Sequence, residues 1–250
     1  MGIASETLPV SVRLAWWGTA WLRGHVVADH LIDAVRGEDA THHLVGHPDA
    51  DPEPLVTGLG RLRREGADAL GAALPAEGDP VGLGGPAAFN AAAFDVGEAV
   101  VALDAAGFAL CGLVPARVGA AVTWTVMAAE RRQLPDVGET DRALRAALPE
   151  AADALAALDV ARWRPEVADR LMNLRHRPPT AAPPGVPPRC VDLAGRALQA
   201  LEIVALGLED DGGALTAAEA QARRDALLPL GRAARRALVA AASPEVWPPG

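Results

Sequence analysis

The sequence predicts an α+β fold: a small antiparallel sheet covered by helices, followed by a proline-rich linker and a C-terminal helical hairpin. Three observations carry this expectation. Between Glu98 and Met127, apolar segments with strand character are separated by short turns. The flanking segments repeat apolar residues at helical spacing. Six of the eleven residues from Pro178 to Pro188 are proline, a density that no helix or central strand tolerates. The run divides the chain into a front domain of residues 1–176, a linker of 177–189, a hairpin of 190–243 and a tail of 244–250.

The first helix is predicted over Val10 to Arg23. Leu14, Trp17 and Trp21 share one face and Val12 and Trp16 make the next face apolar, so the helix must be deeply buried or meet another chain. A short helix follows, with Asp29 as a cap and Gly37 as its terminator. A polar loop holding His42, His43 and His47 leads to a helix from Glu53 to Gly66. The clustered Arg61, Arg63 and Arg64 oppose the negative end of that helix dipole. Ala67 to Leu74 reads as a strand, Gly78 to Gly85 as a glycine-rich loop, and Pro86 as the opening of a brief helix.

Three strands are then expected, Glu98 to Leu103, Gly107 to Val114 and Gly119 to Met127, joined by turns short enough for antiparallel hairpins. Asp136 or Thr140 starts a helical region that Pro149 should kink or divide, and Trp163 to His176 suggests one more helix. Beyond the linker, Asp192 is a plausible cap for a helix whose Leu193, Ala197, Leu201, Val204 and Leu208 share a face. Thr216 with Glu219 has the pattern of a capping box opening the last helix. Two helices alone cannot bury both stripes, so the hairpin should dock on the front domain or on another chain.

Composition limits function. The chain has 32 acidic residues and 23 basic ones, every one of the latter arginine, for a formal net charge of -9. That balance disfavours a general nucleic-acid binder, which must neutralise phosphates over a basic surface. The two cysteines, Cys111 and Cys190, give no disulfide framework and suit a reducing compartment. No secretory leader or uncharged membrane-length segment is apparent, so a cytoplasmic protein is expected. The residues name no cofactor.

Several groups of residues are candidate sites. His42, His43, His47, Asp49 and Asp51 gather imidazole and carboxylate ligands near one another, but in no standard zinc spacing; the plain alternative is a solvated loop. On this reading a metal-dependent hydrolase would draw a further ligand from Asp79 or Asp95. Gly82, Gly84 and Gly85 lie between a strand and a helix, where backbone amides can cradle an anion. The chain holds no lysine, though, so the usual P-loop cation is missing, and a compact turn is the alternative. Arg232, Arg235 and Arg236 form a basic face on the last helix, suited to an acidic partner or to the acidic front domain. Trp16, Trp17, Trp21 and Trp247 are either core or interface anchors. Serines are few and Cys111 lies in an apolar strand, so no nucleophilic constellation emerges. The sequence therefore points first to a non-catalytic protein-interaction or scaffolding module that binds a protein partner or itself. The metal-dependent hydrolase and a ligand or nucleic-acid accessory protein using the last helix are the alternatives.

Overall fold

A computed structural model describes residues 8–47, 51–157, 180–209 and 217–248. The chain runs through α1 (Val10–Leu22), α2 (Ala28–Arg36), β1 (Thr41–Val45), β2 (Glu53–Pro54), α3 (Leu55–Arg64), β3 (Ala67–Ala73) and α4 (Ala87–Val96). It continues through β4 (Ala99–Asp104), β5 (Ala109–Val118), β6 (Ala121–Met127), α5 (Val137–Ala157), α6 (Pro188–Glu209) and α7 (Ala217–Ala241), and ends in a 3-10 turn, Pro244–Val246. The predicted α+β class is the observed one. The strands form a single sheet in the order β2-β1-β6-β5-β4-β3. Every pairing is antiparallel except β1 with β6, which is parallel.

The parallel pair corrects the reading of residues 41–45 as loop. His42 and Leu44 alternate with Thr41, His43 and Val45, and their ladder partners come from β6, remote in sequence. The β5–β6 turn also differs. β5 continues to Val118, and only Gly119 and Ala120 connect it to β6. Pro115 is tolerated inside β5 because it lies past the end of β4, where one flank of the strand carries no ladder.

Helix boundaries follow local chemistry. Asp29 sits in the first turn of α2, not at its cap, where its charge still favours the positive end of the dipole. Asp136 caps α5, accepting from the amides of Gly138 (2.7 Å) and Glu139 (3.1 Å). The helix passes through Pro149 without dividing. α6 begins at Pro188, before the expected cap, because a proline at the first helical position loses no hydrogen bond. The predicted helix over Trp163 to His176 and the cap at Thr216 lie outside the described residues.

The sheet separates two cores. On one face Leu44, Leu70, Val100, Leu113, Val122 and Trp124 are buried with Leu14, Trp16 and Leu59 of α1 and α3. On the other, Phe89 of α4 packs with Val101, Leu103 and Val114, over Gly112, the position a side chain would take from it. The C-terminal helices close on their own chain. α7 packs against α5 and α6, and its stripe of Leu227, Leu230, Ala234 and Leu238 is fully buried. Part of the proline run also packs, with Pro183 buried and Val186 against the core. No helix among the described residues is long and apolar enough to cross a membrane.

β3 is an edge strand whose outward groups are occupied one by one. The Thr19 hydroxyl accepts from the Leu70 amide (2.9 Å) and donates to the Leu70 carbonyl (3.1 Å). The Ala72 amide donates to the Ala242 carbonyl (3.1 Å), and the Ala72 carbonyl accepts from Arg132 (2.8 Å). The Leu74 amide reaches Val81 (3.3 Å). Four separate segments thus cover an edge that would otherwise template pairing with another chain.

Candidate functional site

Alternation in β1, β6 and β5 sends one set of side chains into the main core and the other onto the opposite sheet face. The register places that second set in three rows: Val118, Ala121 and Thr41; Ala116, Thr123 and His43; Val114, Thr125 and Val45. Val114 is buried, Ala116 and Val118 are exposed, and the other six are half-buried. Val118 retains 62% of its surface. The Thr123 hydroxyl donates to the Ala116 carbonyl (3.2 Å), which meets part of its hydrogen-bonding need within the sheet. The patch contains no Asp, Glu or Arg, in a chain where such residues make up 22%. A β-branched surface of this kind, free of carboxylate and guanidinium groups, suits packing against protein.

The tryptophans distribute between core and surface. Trp16 is fully buried, and its indole N–H donates to the Ala241 carbonyl (3.0 Å). Trp247 donates to the same carbonyl (3.0 Å), so the two rings cap the end of α7 from opposite ends of the chain. Trp17 and Trp21 are half-buried against the core, and Arg63 stacks over Trp21 at 5.6 Å.

The basic face of α7 turns toward the glycine-rich loop. Arg236 donates to Oδ1 of Asp79 through Nε (3.1 Å) and Nη2 (3.0 Å), and Arg235 lies 3.5 Å from Oδ2. Asp79 is only 1% exposed, and Arg232 approaches Gly78 at the rim of the same cluster. Burial lowers the pKa of Arg235, while Asp79 opposes that shift.

The glycines of the loop make close approaches. Gly82 has φ +85°, and a Cβ there would stand 2.6 Å from the Ala73 Cα; one at Gly84 would stand 2.5 Å from the Arg131 carbonyl oxygen. Gly85 has φ +116° and spends its amide on Asn90 (3.1 Å). The loop thereby carries the chain over β3 to Arg132, which sequence reasoning missed. Its buried guanidinium holds Glu245 through two bonds (2.9 and 3.1 Å), donates to the carbonyls of Ala72 and Gly82, and reaches the Ser243 hydroxyl. Burial lowers its pKa, and Glu245 opposes the shift. Arg132 and Glu245 stand 113 residues apart, so local spacing carries no signal of their pairing.

The histidines do not share a surface. His42 points into the core, where Nδ1 accepts from the Trp124 indole (3.1 Å) and Nε2 bonds to Asp39 (3.1 Å). Both ring nitrogens are thereby engaged, with Nε2 carrying the proton. Asp39 is buried too and also receives Arg117 (2.6 Å), with Arg13 at 3.8 Å. Burial, helped by the nearby charges of Arg13 and Arg117, lowers the pKa of His42 against the opposing pull of Asp39. His43 belongs to the opposite sheet face, His47 bonds to Glu65 (3.0 Å) and Asp51 is exposed. Asp49 lies outside the described residues. Among the described residues no three His, Cys, Asp or Glu side chains converge as metal ligands.

Comparison with known proteins supplies the family. The chain is 30% identical to "Uncharacterized protein Rv1486c" of Mycobacterium tuberculosis (strain ATCC 25618 / H37Rv) over 297 aligned positions, covering 95% of this chain and 98% of the relative. "Uncharacterized protein MT1533" of Mycobacterium tuberculosis (strain CDC 1551 / Oshkosh) matches at the same identity and coverage. No solved structure matches. The family description "Rv1486c-like protein, N-terminal domain" matches residues 11–139 and "Rv1486c-like protein, C-terminal domain" residues 138–239. The two meet at the start of α5, and together they make this chain a member of the Rv1486c-like family.

Proposed function

We propose that this chain is a non-catalytic protein-interaction or accessory protein, and that the three-row sheet face of β1, β6 and β5 is where it meets its partner. The carrying observation is the absence of carboxylate and guanidinium groups from that face in a strongly acidic chain. An exposed sheet face that only needs solvation ordinarily carries charged side chains, whereas interface centres are depleted of them. With strands about 4.8 Å apart and same-face residues about 6.8 Å apart along each strand, the eight accessible positions, Val114 being core, span only about 260 Å². A lasting complex buries about 800 Å² per partner, so the partner must also engage neighbouring surface.

The test places charge on the patch. Ala116→Glu and Thr123→Glu should leave the folded structure intact by circular dichroism and abolish co-purification of a partner from the protein's own cells. Retention of every partner by both variants would overturn the proposal.

A further inference from the structure

A cleft of about 360 Å³ opens beside β3, between the β4–β5 turn and the C-terminal 3-10 turn. Its volume lies within the range of small-molecule sites, about 300–1,000 Å³. Half-buried Ala109, Leu134, Pro244 and Val246 supply its apolar lining, and six charged side chains complete it.

Four of those charges are already paired. Arg23 donates twice to Asp68 (3.1 and 3.0 Å), and Arg132 holds Glu245. One charge of each sign remains. Arg131 is exposed and has no carboxylate partner among the described residues. Asp104 accepts the amides of Ala106 (2.9 Å) and Phe108 (2.8 Å) on Oδ1, and no described cation offsets it.

Both residues stand on fixed backbone. The Arg131 carbonyl abuts Gly84, and the next residue is the buried Arg132. Asp104 is locked into its own turn, where the Gly107 amide donates to its carbonyl (3.0 Å). A ligand with a single charge would answer only one of these groups. We propose that the cleft binds a small zwitterion of short-peptide chemistry, its carboxylate on Arg131, its ammonium on Asp104 and its side chains over the apolar lining.

Calorimetric titration of the intact chain with alanyl-leucine, its N-acetyl form and its C-terminal amide tests this. The free dipeptide should bind saturably, and each blocked form at least about tenfold more weakly, as expected for loss of a charge-assisted contact. Arg131→Ala should erase the preference for a free carboxylate. Asp104→Asn keeps an oxygen for the turn amides and should erase the preference for a free amine. No saturable binding of alanyl-leucine, or equal binding of all three forms, would overturn the proposal.

Discussion

At His42, burial and the charges of Arg13 and Arg117 act against the bond and charge of Asp39, and the net result is a pKa below the ordinary 6.5. Above that value the ring is neutral in both folded and unfolded chains. As pH falls from 6.5 toward the folded value, the unfolded chain takes up a proton that the folded chain refuses, so stability is lost through that window. Urea unfolding at about pH 7.5 and about pH 5.5 should show a lower midpoint at the acidic value, and His42→Gln should shrink the difference. Thr19 supports a second prediction, since its hydroxyl serves both outward groups of Leu70. Thr19→Val should cost about 1–3 kcal/mol, the penalty for orphaned buried groups, read as a lower urea midpoint at unchanged slope. Neither role was legible beforehand, because a lone histidine or threonine carries no local sign of a partner remote in sequence.

At the element scale, legibility depended on how local the determinant was. The β4, β5 and β6 segments, Gly37 at the end of α2 and Asp136 at the start of α5 were readable because turn, cap and period act within a few residues. β1 was not, since two histidines in five residues resemble a polar loop until Trp124 and Asp39 receive one of them. The Arg132–Glu245 pair, which ties the segment after β6 to the C-terminal turn, was equally invisible. Glu245→Gln should destabilise by about 3 kcal/mol by leaving a buried cation unpaired. The Arg132→Met/Glu245→Gln double variant should cost less than the sum of its single changes, a non-additivity that denaturant unfolding of all four forms would measure. Gly82→Ala should cost more than about 1 kcal/mol, because its positive φ and the Ala73 backbone both exclude a side chain.

For the whole molecule, the α+β class followed from periodicity alone, while the covering of each sheet face did not. Alternation in β6 showed that one face is buried; only the sheet order reveals that its other face meets those of β1 and β5 in a patch free of carboxylate and guanidinium groups. Of the residues singled out in the sequence as partner-binding, Trp16 is core and Arg235 and Arg236 pair with Asp79, whereas His43, read as a metal ligand, belongs to the patch. Native mass spectrometry of the untagged chain from its own cells, alongside the Thr123→Glu variant, tests the central claim most directly. The interaction reading predicts a complex heavier than the 25.8 kDa chain, lost in the variant while its fold persists. A lone monomer in the native sample, or a complex indifferent to Thr123→Glu, would contradict it.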